Sequence, residues 1–122
     1  MSKILITGSA GQVGGELLSE LEKSYNPNDI ILTDISGLDR IDNRYQKFIL
    51  DVRNYEELKK IINENDVKYI FHLASILSAK GEESPLLAFN VNMNGTENVL
   101  SASVELNVER VFIPSTIGVF GP

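Results

Sequence analysis

The chain has 122 residues, 43% of them hydrophobic and 23% charged, with a formal net charge of −6 and a single His. That is enough chain for one domain with a real core. The acidic balance argues against a nucleic-acid footprint, which is basic, and the lack of cysteine excludes disulfides and thiol metal sites.

Lys3 to Thr7 reads as the first strand. It runs into Thr7-Gly8-Ser9-Ala10-Gly11-Gln12-Val13-Gly14, which opens a helix predicted from Gln12 to about Lys23, with Val13, Leu17, Leu18 and Leu21 on one side. Strand, glycine turn and helix form the context that makes a dinucleotide-binding motif credible. Gly8 permits the sharp exit from the strand. Gly11 removes a Cβ, so a pyrophosphate can approach the backbone, and Gly14 lets the helix lie close to the strand. The helix N-terminus then offers N–H groups and a positive dipole end to phosphates. An ordinary glycine-rich turn without a ligand has the same composition.

Tyr25-Asn26-Pro27-Asn28 is a turn by composition. Ile30-Ile31-Leu32 forms a second strand ending at Thr33-Asp34, and such an apolar run suits a parallel strand covered on both faces. Ser36 to Asn43 is polar loop. Lys47 to Leu50 is a third, weaker strand ending at Asp51-Val52. Asn54 is an N-cap with Glu57 as capping-box partner, and Leu58, Ile61 and Ile62 form the buried stripe of the second helix. Lys68 to Ala74 is the fourth strand. A long third helix follows, with Ser84 as N-cap and Pro85 at its first position. Its stripe runs Ala88, Asn92, Gly95, Val99, Ala102, Leu106, and Asn107 marks its end. Arg110 to Ile113 is the fifth strand, closed by Pro114. Repeated β–α units imply a doubly wound α/β sheet of parallel strands with helices on both faces. No apolar run approaches the length of a membrane span, and the N-terminus enters a strand pattern directly rather than a signal peptide. The expected setting is cytoplasmic.

In such a sheet ligands bind beyond the carboxyl ends of the strands. Asp34, at the end of the second strand, lies 20 residues after Gly14, where a carboxylate accepts hydrogen bonds from an adenosine ribose and repels a 2′-phosphate. With no Arg or Lys immediately after it or within the glycine turn, the reading is NAD over NADP; a strand-terminating turn residue is the alternative. Asp51 can meet an adenine edge while Val52 packs on its face, or Asp51 can make an Asx turn. His72-Leu73-Ala74-Ser75 ends the fourth strand in small residues that let a cofactor cross the sheet edge. His72, among apolar neighbours, fits a structural histidine better than a base, and no second ligand accompanies it for a metal. Ser115 and Thr116, in a glycine-punctuated loop after the fifth strand, can hydrogen-bond a substrate oxygen or cap a turn.

The whole chain resembles the first part of an extended short-chain dehydrogenase/reductase of the NAD-dependent epimerase/dehydratase type. Thr7 to Gly14, Asp51-Val52, His72-Leu73-Ala74, Asn92-Met93-Asn94-Gly95-Thr96 and the 115–121 segment match that pattern in order and spacing. Two stretches, Ile76 to Glu82 and Pro114 to Pro122, resemble the L-threonine 3-dehydrogenases within it. The resemblance implies a Rossmann-type NAD-binding domain over residues 1–122, ending after the fifth strand and without the substrate domain. It implies that Gly8, Gly11, Gln12, Val13 and Gly14 hold the pyrophosphate and Asp34 the adenosine ribose. Asp51 and Val52 flank the adenine, Leu73, Ala74 and Ser75 line the cofactor's middle, and Asn92 faces the nicotinamide side, unless it serves a buried helix–strand contact. Thr116 falls at the catalytic Ser/Thr position, and Ser78 in the loop contacting an amino-acid substrate, which would be L-threonine. The family's catalytic tyrosine and lysine belong beyond Pro122. Tyr55 and Lys59 share their spacing but lie on the second helix, far from the nicotinamide end, and are not expected to act as base. In relatives the third helix and the one after the fifth strand form a dimer interface. With Ala88, Asn92, Gly95, Val99 and Ala102 on a close-packing face, self-association is expected. Nucleotide-sugar epimerases or dehydratases of the same fold, and a non-catalytic NAD-binding module, are the competing readings.

Overall fold

The computed structural model describes residues 3–74 and 85–113. Five strands, β1 (Lys3–Thr7), β2 (Ile30–Asp34), β3 (Gln46–Ile49), β4 (Val67–His72) and β5 (Arg110–Phe112), form one sheet in the order β3-β2-β1-β4-β5. Every pairing is parallel. The chain winds outward from β1 to β3, crosses back to β4 on the other side of β1, and so places a switch point between β1 and β4, where α/β sheets open a crevice for ligands.

Among the described residues three helices cover the sheet: α1 (Gln12–Leu21), α2 (Tyr55–Glu64) and α3 (Pro85–Glu105). Strand alternation sends Leu5, Ile31 and Ile70 to one face, where they pack with Leu58, Ile61 and Ile62 of α2 and Val99 and Ala102 of α3. Ile4, Ile6, Ile30 and Leu32 go to the other face and meet Leu18 of α1, Leu38 and Tyr45. These core strands carry aliphatic residues on both sides because both sides are covered. Burying each such side chain contributes about 1.5–3 kcal/mol.

Strand β3 lies one residue earlier than expected, β4 runs Val67–His72 rather than Lys68 to Ala74, and β5 stops at Phe112 rather than Ile113. Local chemistry sets the other element ends, with four further departures from the sequence reading. Helix α1 stops at Leu21, two residues early, as Glu22 and Lys23 fold into tight turns onto Leu18 and Glu20. Val13, expected on the buried side of α1, is 57% exposed. Asn54 caps α2 by accepting from the Glu57 N–H at 3.2 Å, yet the returning arm of a capping box is replaced: the Asn54 N–H donates to the Asp51 carbonyl at 2.8 Å. The predicted loop after β2 holds a short 3-10 turn, Leu38–Arg40, entered through Gly37 at φ 83°. Asn107 does end α3, in the left-handed region at φ 58°, and the Val108 N–H closes back on the Ser103 carbonyl at 2.9 Å.

Part of the α3 stripe expected to drive self-association is used within the chain itself. Gly95, Val99 and Ala102 are buried in the chain's own core; a Cβ on Gly95 would stand 2.6 Å from Val52 Cγ2. The close-packing stripe is therefore used against α2 and the end of β3. Ser84 lies outside the described residues, as does the side chain of Ala88. No helix among the described residues is long and apolar enough to cross a membrane.

Candidate functional site

The site is built at the carboxyl edge of β1 and β2. Gly8 turns the chain out of β1 at φ 70°, and a Cβ there would lie 2.8 Å from the Ala74 nitrogen and the Leu73 carbonyl carbon. Glycine is thus needed twice at Gly8, for the backbone angle and for the close passage of β4. At Gly14 a Cβ would fall 2.6 Å from the Ser9 carbonyl oxygen and 2.7 Å from that of Gly8, so α1 sits directly on the turn. Gly11 differs from both. Its φ of −79° is ordinary, and the nearest atom to a Cβ would be the Gly8 carbonyl at 3.5 Å. Nothing among the described residues requires a glycine there, which fits a demand imposed by a group approaching from outside.

The turn is bolted to its neighbours through hydroxyls that sequence reasoning passed over. The buried Ser9 hydroxyl donates to the Ile6 carbonyl at 2.7 Å and accepts from the Thr33 N–H at 3.1 Å. Thr7 Oγ1 accepts from the N–H groups of Leu73 at 3.0 Å and Ala74 at 3.1 Å. Its own proton then goes to His72 Nδ1, 2.8 Å away. That bond leaves Nδ1 unprotonated and puts the proton of the neutral ring on Nε2. Burial pushes the His72 pKa down to about 4, so the ring is uncharged at neutral pH. His72 is therefore the structural residue expected of it, and the signal for the node was a hydroxyl at a strand end opposite the single histidine. Among the described residues no cluster suited to a metal ion occurs.

Asp34 stands at the end of β2 as predicted, half-buried. One carboxylate oxygen accepts from the Ala10 N–H of the glycine turn at 3.0 Å and the other from the Ile35 N–H at 2.7 Å. A carboxylate has about four acceptor positions, so two remain for ribose hydroxyls. No cation pairs with it among the described residues. The N-terminus of α1, a few residues away, has no side-chain cap and no acid in its first turn. Gln12 and Val13 are exposed at that open end. Fixed N–H groups at an uncapped helix start, a Cβ-free approach at Gly11 and a carboxylate held by backbone donors together suit a dinucleotide: anionic phosphates on the helix and a hydroxylated sugar on Asp34.

Asp51 and Val52 also lie where expected, beyond β3, but both are engaged. Asp51 accepts from the Arg53 N–H at 2.9 Å in an Asx turn and from Arg53 Nη2 at 2.7 Å, and these bonds hold its carboxyl below the usual range. Val52 is buried against Gly95. The Asn98 amide, unremarked in the sequence reading, donates to the Val52 and Arg53 carbonyls at 2.9 and 3.0 Å and ties this turn to α3. Leu73 and Ala74 border the glycine turn through the Thr7 bonds, and Asn92 lies half-buried on α3 one turn before Gly95. Ser75, Ser78, Ser115 and Thr116 lie outside the described residues.

The Tyr55 and Lys59 pair behaves as a structural contact. Tyr55 donates to Glu105 of α3 at 2.8 Å, and accepting that proton raises the tyrosine pKa. Burial alone would lower Lys59, but Glu105 and Glu56 outweigh it and raise it. A tyrosine pushed up cannot serve as a ready base, which agrees with the sequence reading.

The sequence model described as "NAD dependent epimerase/dehydratase family" matches residues 4–122. The chain is 40% identical over 121 residues to the mitochondrial L-threonine 3-dehydrogenase of Sus scrofa, covering 98% of this chain and 32% of that protein. It is 37% identical to the Homo sapiens protein named inactive L-threonine 3-dehydrogenase, mitochondrial, covering 98% of this chain and 52% of that one. Among solved structures it superposes with a TM-score of 0.87 on the GalE-like L-threonine dehydrogenase from Cupriavidus necator in its holo form, at 35% identity over 98% of this chain and 39% of the other. The chain thus spans between a third and a half of the length of these relatives.

Proposed function

The chain belongs to the NAD dependent epimerase/dehydratase family, and on that premise we propose that it is the NAD-binding portion of an L-threonine 3-dehydrogenase. The observation that carries the NAD reading is the open cradle at Gly11 beside a carboxylate, Asp34, whose bonds to the Ala10 and Ile35 N–H groups leave acceptor positions free. The identities to threonine dehydrogenases over nearly the whole chain support the substrate. When bound, NAD supplies the hydride acceptor for oxidation at the hydroxyl-bearing carbon.

The residues divide the work as follows. Gly8 and Gly14 shape the turn, Gly11, Gln12 and Val13 present the backbone to the pyrophosphate, and Asp34 holds the adenosine ribose. Val52 and Asp51 border the adenine, where Asp51 is shared with Arg53. Leu73, Ala74 and Ser75 line the middle of the cofactor, and Asn92 faces its nicotinamide side. Thr116 orients the substrate hydroxyl and Ser78 contacts the amino acid, but an unactivated threonine does not remove a proton. General-base help is typically worth about 10²–10⁴ in rate, so the 122-residue chain is expected to be inactive alone. An epimerase or dehydratase acting on nucleotide sugars is the other activity of this fold, and a cytoplasmic setting is kept as a proposal beside the mitochondrial names of the mammalian relatives.

Calorimetric titration with NAD tests the binding half. Wild type is expected to bind and Asp34→Ala to bind at least about tenfold more weakly, the scale of a lost charged hydrogen bond. Unchanged affinity in Asp34→Ala would remove Asp34 from the ribose. Threonine-dependent NAD reduction by the 122-residue chain would overturn its proposed inactivity. If a version extended to the length of the relatives has that activity, its loss in Thr116→Ala would support the role of Thr116.

A further inference from the structure

The loop after β2 brings a second charged group to the glycine turn. Gly37, left-handed at φ 83°, opens the short turn Leu38–Arg40. The point where a Gly37 Cβ would stand lies 2.5 Å from Arg40 Nη2 and 3.0 Å from the Ala10 Cβ. The guanidinium is therefore folded back over Gly37, next to Ala10, and the Ala10 N–H is the group that holds Asp34. No Arg or Lys immediately follows Asp34 in the sequence. The turn supplies one from six residues further on.

Among the described residues Arg40 differs from the nearby arginines. Arg44 pairs with Glu22 and Asp42, and Arg53 with Asp51. The Arg40 side chain makes no ion pair or hydrogen bond among the described residues. Arg40, folded toward the Ala10 side chain, and Asp34, bonded to the Ala10 N–H, thus meet at one residue of the glycine turn: a guanidinium with no ion pair among the described residues, and a carboxylate with free acceptor positions beside the proposed ribose seat. Asp34 favours a free 2′-hydroxyl and disfavours a 2′-phosphate by charge; a guanidinium does the reverse, and its planar fork suits phosphate oxygens.

We propose that Arg40 is a specificity-determining residue that partly offsets Asp34, so that the site prefers a free 2′-hydroxyl yet accepts a 2′-phosphorylated adenosine. The inference rests on the NAD reading of the glycine turn. It goes beyond that reading by assigning the 2′ position of the ribose to two side chains of opposite charge rather than to Asp34 alone.

The test titrates NAD and NADP into wild type, Arg40→Ala, Arg40→Lys and Asp34→Ser. Wild type is expected to bind NAD more tightly than NADP. Arg40→Ala should weaken NADP about fivefold or more while changing NAD less than twofold, and Arg40→Lys should retain part of the NADP affinity. Asp34→Ser should bring NADP level with NAD or above it, and adding Arg40→Ala to that variant should cancel the gain. Adenosine 2′,5′-bisphosphate against 5′-AMP repeats the comparison with probes that need only the adenosine half. Arg40→Ala affecting neither cofactor, or both equally, would overturn the inference while leaving NAD binding intact. Failure of wild type to bind either cofactor would overturn the underlying reading and this inference with it.

Discussion

Two helix starts lie at the carboxyl edge of the sheet, α1 after β1 and α2 after β3, and they are finished in opposite ways. Beyond β3, the start of α2 is closed: Asn54 caps it, Glu56 and Glu57 meet its dipole, and Asp51 is bound by Arg53. Beyond β1, the start of α1 is open: Gly11 offers no side chain, its first turn carries no acid, and among the described residues no cation pairs with the adjacent Asp34. A chain that needed only a stable corner at α1 would gain about 1 kcal/mol from an ordinary N-cap. The contrast points to the α1 end as the one shaped by a ligand, and to the α2 end as a self-sufficient corner.

The most direct way to break the open end is Gly8→Ala. The new Cβ would press on the Leu73 and Ala74 backbone at a positive φ, which cannot yield as a side-chain tip can. Strain and overpacking together are expected to cost at least about 3 kcal/mol in urea denaturation. Gly15→Ala, with nothing within 4 Å of its Cβ, is the control and should be neutral or stabilising by up to about 1 kcal/mol.

Acid separates the two ends by pH. His72, next to the open turn through Thr7, has a folded pKa of about 4, below its unfolded value near 6.5. The unfolded chain binds the extra proton between those values, so the stabilisation is full above about pH 6.5 and falls as pH drops towards 4, by about 3 kcal/mol at most. Asp51, also depressed, keeps its contribution above its unfolded value near 3.9 and loses it only as pH falls below that. With its side chain 40% exposed, solvent screening limits that loss to a few tenths of a kcal/mol. Denaturation across pH 7 to 3 should show the first loss and, in His72→Gln, a flattened slope between pH 6.5 and 4. An unaltered slope in that variant would exclude His72 as its source.

The smallest expected effect sharpens the contrast from the closed side. Asn54→Ala should cost about 1 kcal/mol of stability through the lost cap, with NAD affinity unchanged within twofold. A large loss of NAD affinity in a still-folded Asn54→Ala protein would mean that the α2 corner also belongs to the ligand site.

Much of this arrangement was legible in the residues themselves. Aliphatic runs gave the strands and their order along the chain, because a strand buried on both faces has no room for alternation. The spacing of Leu58, Ile61 and Ile62 gave a buried helix face, and glycine spacing with Asp34 gave the open end, since both depend on local backbone geometry. Other features depended on contacts made far along the chain. Thr7 was only a strand terminus until β4 brought His72 to it. The Gly95 stripe read as an outward face until α3 was seen lying on Val52, and Arg40 read as a loop charge until Gly37 folded it over Ala10. Local sequence determines which backbone shapes are affordable; which polar atoms meet, and which are left facing a ligand, is decided by pairing between strands 24 to 65 residues apart, as in the bonds of Ala10 to Asp34 and Thr7 to His72.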